Sequence, residues 1–177
     1  MIVVTVGTQF FDELVEEVDR LVARGVITDH VWAQVGLTQR PPRHIEHVAF
    51  DRNLTARAQR ASLIITHAGT GSLCEFIRLG RPMIAVVNAT KADNHQLEFM
   101  RELSRVYDLC WIESPKGLEQ ALPHARPARP FGPSTVTELA RDIRAALLSG
   151  QEPIPITGHR SIAQAEACGS GPIGDRH

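Results

Sequence analysis

The sequence predicts an α/β fold, a parallel sheet with helices on both faces, from three observations. Met1–Val6 is an almost continuous β-branched run, the pattern of a strand covered on both sides. Phe11, Leu14, Val15, Val18, Leu21 and Val22 then recur at helical spacing. The same alternation of short apolar runs and amphipathic stretches continues with short links, which requires parallel strands joined by crossover helices. At 177 residues, 43% of them hydrophobic, the chain can bury one core but not two full ones.

The first helix ends near Gly25. His30–Val35 reads as the second strand, Gln39–Arg43 as a proline-punctuated loop and His47–Phe50 as a short third strand. Asn53 is suited to cap a helix through about Ala61, because its side-chain oxygen can accept from a first-turn amide. Leu63–Thr66 follows as a strand, Ser72–Leu79 as a helix stopped by Gly80, and Met83–Val87 as another buried strand. Asn94–Arg105 is helical, with Leu97, Met100 and Leu103 on one side. Leu109–Ile112 is a strand, Pro115–Leu122 a helix with proline near its start, and Ser134–Leu148 a last helix facing inward through Val136, Leu139, Ile143 and Leu147. From residue 150 to 177 periodicity fades and proline and glycine accumulate. The expected organisation is one domain over 1–149 and a flexible or partner-ordered tail over 150–177.

Charge excludes some functions. Nineteen basic and twenty acidic residues leave a net charge of −1, so no global field recruits nucleic acid, and any bound anion must be gripped locally. Cys74, Cys110 and Cys168 lack metal spacing and suit reduced thiols in a cytoplasm. The apolar opening MIVVTVGT has neither a basic flank nor a cleavage site, so a strand is expected there rather than a signal peptide. No window approaches the roughly 18 to 20 apolar residues that span a bilayer.

In an open parallel sheet, ligands bind beyond the carboxyl ends of the strands, where helix N-termini turn free amides outward. Three loops in such positions carry suitable residues: Gly7-Thr8-Gln9, His67 to Ser72, and Asn88–Gln96. In the second, Gly69 and Gly71 let backbone amides approach a phosphate, Thr70 and Ser72 add hydroxyls, and a helix begins at about Ser72. Glu75, one turn in, is placed to accept from the vicinal hydroxyls of a ribose. Each loop keeps a plainer reading. A glycine turn capped by serine closes many βα units, His67 either donates to a phosphate or caps its strand, and Asn94, His95 and Gln96 form either ligand contacts or an N-cap cluster. Catalytic alternatives find no support: there is no GxSxG elbow, no HExxH and no paired-cysteine zinc pattern. His44 and His47 fit the surface, and Trp32 and Trp111 fit strand packing.

Three stretches carry a family likeness. VTVGTQFFDELV at Val4–Val15, THAGTGSLCEFIRLGRPMIAVVN at Thr66–Asn88 and DNHQLEFMREL at Asp93–Leu103 together resemble the C-terminal, donor-binding half of glycosyltransferase family 28. The resemblance extends to the family's split members, the dolichol-linked N-acetylglucosaminyltransferase and bacterial exopolysaccharide types, and runs from Met1 to roughly Leu148. It implies a Rossmann-like domain equivalent to the C-terminal half of a GT-B enzyme. Carried over, Gly7 and Thr8 face the diphosphate with Gln9 beside them, and His67 and Gly69, Thr70, Gly71 and Ser72 hold the phosphates. Glu75 binds the uridine ribose, and Asn94, His95 and Gln96 contact the donor sugar and its phosphate. The loop after Val48–Phe50 meets the uracil edge. Gln9 and Phe10 depart from the small polar residue and serine that the likeness leads one to expect, and Pro123–Pro133 matches nothing in it.

The resemblance further implies half an enzyme. The expected function is the donor-binding subunit of an inverting UDP-sugar glycosyltransferase, with N-acetylglucosamine as the expected sugar, that needs neither cofactor nor metal. It would act beside a membrane-anchored, acceptor-binding partner subunit that recruits it to the cytoplasmic membrane face. That partner would supply the general base and a polyprenyl-diphosphate-linked saccharide acceptor for polysaccharide or glycolipid synthesis. The alternative is a non-catalytic UDP-sugar-binding regulatory or scaffold protein; epimerisation of a UDP-sugar is disfavoured because it needs two closing halves.

Overall fold

The computed structural model describes residues 1–88, 95–131, 141 and 143–145. Strands β1 (Ile2–Thr5), β2 (Val31–Gln34), β3 (Glu46–Val48), β4 (Leu63–His67) and β5 (Pro82–Val86) follow in chain order, with two short pieces, β6 (Tyr107–Asp108) and β7 (Cys110–Ile112), later on. Helices α1 (Asp12–Ala23), α2 (Leu54–Gln59), α3 (Thr70–Leu79), α4 (His95–Val106) and α5 (Leu118–Ala121) connect them. The main sheet has the order β3-β2-β1-β4-β5-β7, and every one of these pairings is parallel.

Each strand's alternation divides the core into two layers. Val4 and Ile65 face one way and meet Leu14, Val18 and Leu21 of α1 and Leu118 of α5. Val3, Trp32 and Ile64 face the other way and meet Ala58 of α2, Phe76 of α3 and Met100 and Leu103 of α4. Burial on both faces explains why β1 reads as an uninterrupted apolar run. Ile143 joins the second layer; of the predicted last helix, residues 141 and 143–145 are described and are helical, while its other residues, the tail and Cys168 lie outside the described residues.

The predicted elements recur with informative differences. Asn53 precedes α2 but makes no side-chain cap bond; its own amide instead donates to Asp51 Oδ1 at 2.8 Å. Helix α3 starts at Thr70, two residues earlier than its hydroxyl pattern suggests, with Gly69 as N-cap. The segment predicted as one helix over Pro115–Leu122 is a 3-10 turn at Pro115–Gly117, then α5, then a second 3-10 turn at Leu122–His124, because Pro123 cannot donate to a continuing helix. Beyond it the chain returns as β8 (Arg126–Pro127), antiparallel to the start of β5, and β9 (Arg129–Pro130), antiparallel to β6. Among the described residues no helix is long and apolar enough to cross a membrane.

Candidate functional site

The strand order reverses at β1. From it the chain steps outward to β2 and β3 on one side, then returns to lay β4, β5 and β7 on the other. The loops after β1 and β4 therefore diverge at the topological switch point, the place where an open α/β sheet forms a crevice. Because the strands are parallel, the loops after β1, β4 and β5 all emerge on one edge.

A row of buried polar side chains underlies that crevice. The register aligns Gln34 of β2 with Thr5 of β1, and Thr5 with Thr66 of β4; all three are buried. Buried polar groups must be hydrogen-bonded, and these are spent on the loops above them. Thr5 Oγ1 accepts from the Gly7 amide at 3.1 Å, and Gln34 Nε2 donates to the Gly7 carbonyl at 3.1 Å. Gln34 Oε1 accepts from the Asp51 amide at 2.9 Å, which ties the loop after β3 to the loop after β1. Thr66 Oγ1 donates to the His67 carbonyl at 3.2 Å. Neither Gln34 nor Thr5 is prominent in the sequence; the available signal was a glutamine closing the otherwise apolar run VWAQV.

His67, 4% exposed, ends β4 between the two loops. A Cβ at Gly7, whose φ is +66°, would lie 2.7 Å from its Cε1, and a Cβ at Gly69 would lie 2.2 Å from its Nε2. Both glycines are thus required by the imidazole wedged between them, independently of any ligand. Gly71 has open space where a side chain would stand. With Gly69 as N-cap and the first helical bond running from the Leu73 amide to the Gly69 carbonyl, the amides of Thr70, Gly71 and Ser72 have no acceptor one turn back in α3. They open at the crevice with the positive end of the helix dipole.

Other predicted residues fall around this seat. Thr8 is exposed, and Gln9 Oε1 is buried without a hydrogen-bond partner among the described residues. Glu75, exposed on α3, accepts from Thr55 Oγ1 of α2. His95 is exposed in the first turn of α4, 4.0 Å from Glu98. Gln96 is turned inward: its Oε1 accepts from the Asn88 amide at 3.0 Å, while Asn88 Nδ2 donates to the Phe10 carbonyl at 2.9 Å. Gln96 and Asn88 thereby connect the start of α4 and the end of β5 to the first loop. Asn94 lies outside the described residues.

A groove of about 520 Å³ opens on the α1 side of the same edge, over Phe11 and Val87. Its rim holds Glu13, Glu16, Glu17 and Glu113 against Arg20 and Lys116. Four carboxylates facing two cations disfavour a diphosphate there, which leaves the N-terminus of α3 as the better anion seat.

Electrostatics follow the same geometry. The Asn53 amide holds the Asp51 carboxyl below its ordinary value; burial opposes this, and Arg57, with Nε at 3.1 Å, adds to it. Burial pushes the Cys110 thiol up to about 11 and raises that of Cys74 as well, so neither is primed as a nucleophile. Trp32 is buried and carries the Arg57 guanidinium 4.0 Å from its ring centroid; Trp111 packs half-buried against the second layer.

Comparison with known proteins agrees with the motifs. The chain is 34% identical over 116 residues to the UDP-N-acetylglucosamine transferase subunit ALG13 of Mus musculus, covering 58% of this chain and 10% of that protein. It is 40% identical over 78 residues to the subunit of the same name from Candida albicans, covering 43% and 26%. The matched region thus spans about a quarter or less of these relatives. An NMR solution structure of ALG13 aligns over 89% of each chain at 20% identity and a TM-score of 0.41. The glycosyltransferase family 28 C-terminal domain matches residues 1–130, and the chain belongs to that family.

Proposed function

We propose that this chain is the donor-binding subunit of a UDP-sugar glycosyltransferase. The observation that carries the reading is the switch-point crevice, where the Gly7–Gln9 loop and the N-terminus of α3 converge around buried His67. A nucleoside diphosphate matches its chemistry. Amides of Thr70, Gly71 and Ser72, with the hydroxyls of Thr70 and Ser72, take the phosphates. Gly7, Thr8 and Gln9 line the other side of the diphosphate. Glu75 lies three residues beyond Ser72 and four beyond Gly71, hence on the same side of the helix, with its side chain tilted toward the N-terminus; a ribose attached to the phosphates falls within its reach. We assign the loop from Phe50 to Asn53 to the base, and Asn94, His95 and Gln96 to the sugar.

The chemistry supplied is stabilisation of the leaving group. As the glycosidic bond to the diphosphate breaks, negative charge grows on the phosphate oxygen, and fixed amides plus the dipole of α3 receive it without a metal. An acceptor hydroxyl attacking from the opposite face inverts the anomeric centre and needs a general base. We assign that base, the lipid-linked acceptor and the membrane anchor to a partner subunit, a reading supported by the word "subunit" in the names of the relatives. Those names also favour N-acetylglucosamine as the sugar.

Calorimetric titration tests the binding half of this reading. UDP is expected to bind the full chain and to lose about tenfold in affinity in Glu75→Ala, the equivalent of about 1.4 kcal/mol. Absence of UDP binding overturns the proposal. Sugar transfer to a lipid-diphosphate acceptor only after co-expression with a membrane partner supports catalysis; UDP-sugar binding with no transfer in the assembled pair favours the regulatory alternative.

A further inference from the structure

The Glu75 carboxylate does not stand alone. Thr55, exposed on the neighbouring helix α2, donates its hydroxyl hydrogen to Glu75 Oε1. Helix α2 is short, six residues, and is held in place by more than its packing along α3. At its start Asp51 accepts from the Asn53 amide and from Arg57 Nε, and the Arg57 guanidinium lies over buried Trp32. The Asp51 amide in turn donates to Gln34 Oε1, and Gln34 Nε2 donates to the Gly7 carbonyl. A polar path therefore runs from the loop after β1, through Gln34 and Asp51, along α2 to Thr55 and on to Glu75.

We propose that Thr55 is a positioning residue for Glu75, fixing the carboxylate so that the site selects a ribose diol over a 2′-deoxyribose. The inference rests on the nucleotide-binding reading above. A glutamate exposed on a helix samples several rotamers, and ordering it on ligand binding costs up to about 1.5–2 kcal/mol. A hydrogen bond from Thr55 orders it beforehand. An ionised carboxylate offers about four acceptor sites. Thr55 uses one on Oε1, which leaves enough for two vicinal hydroxyls. A 2′-deoxy ligand forfeits one of those bonds, so the discrimination between the two ligands reports how well the carboxylate is aimed.

The test is titration of the 177-residue chain with UDP and with 2′-deoxy-UDP, for wild type, Thr55→Val, Thr55→Ser and Glu75→Gln, each checked for folding by circular dichroism. Thr55 is exposed, and valine matches its shape, so the fold is expected to persist; Thr55→Ala replaces Thr55→Val should the latter not fold. The expected result is a preference for UDP of about tenfold in wild type, retained in Thr55→Ser and reduced to threefold or less in Thr55→Val and Glu75→Gln. A uniform loss of affinity for both ligands, with the preference intact in Thr55→Val, overturns the positioning role while the Glu75 reading survives through Glu75→Gln. A preference unchanged in both Thr55→Val and Glu75→Gln removes ribose recognition by Glu75 and this inference with it. Failure of wild type to bind UDP overturns the nucleotide site itself.

Discussion

Gly69 has a role at residue scale that its sequence context conceals. Beside Thr70 and Ser72 it reads as space for a phosphate, yet the nearest constraint is His67, whose Nε2 would lie 2.2 Å from a Cβ there. Gly69→Ala must displace a buried imidazole and is expected to lower stability by about 1–3 kcal/mol, measured by urea unfolding without ligand. An unchanged midpoint would leave phosphate contact as the glycine's only constraint. The hydroxyls behave differently: Ser72→Ala should keep the fold and weaken UDP about tenfold. Gly7, His67 and Gly69 were legible as residue types at strand ends, and Glu75 as a carboxylate one turn into the following helix. Gln34 and Thr5 were not, because a buried polar residue is recognised by its neighbours across the sheet, and sequence spacing does not reveal the register. Cys110 offers a separate check: with its thiol raised to about 11 by burial, brief alkylation at about pH 8 should leave it unmodified until the chain is denatured.

At the scale of elements, periodicity located the helices, and cap chemistry misplaced the start of α3. Ser72 looked like the first residue of α3, but the helix begins at Thr70, since Gly69 takes the cap position with no side-chain bond. The shift puts the Thr70, Gly71 and Ser72 amides together at the opening. Asn53 holds the N-cap position of α2 as expected but makes no side-chain cap bond; Asp51, two residues earlier, accepts from the Asn53 amide instead. This predicts a pH dependence. The folded Asp51 carboxyl titrates below its unfolded value, so its contribution is complete above about pH 4 and is lost as the pH falls through the lower folded value. Urea midpoints of wild type should therefore fall more steeply than those of Asp51→Asn between about pH 5 and pH 3. Parallel curves would show that Asp51 does not stabilise the start of α2 through its charge.

For the whole molecule, the alternating pattern sufficed for the parallel sheet and its two layers of helices. It missed the return at β8 and β9, two-residue strands rich in proline whose pairing depends on distant partners at Pro82 and Tyr107. Such short edges add few ladder bonds, so native-state hydrogen exchange should be slowest in β1, β4 and β5 and fast over residues 126–130. The same topology brings the site loops together from separated parts of the chain, which is why the three motifs acquire meaning only as a set. The central claim is that a nucleoside diphosphate sits at the N-terminus of α3. Titrating UDP into the ¹⁵N-labelled chain and following amide resonances tests it most directly. The largest shifts should fall on Thr70, Gly71 and Ser72 and on Gly7, Thr8 and Gln9; shifts centred on Glu13, Glu17 and Lys116 in the groove beside α1, or none at all, would contradict it.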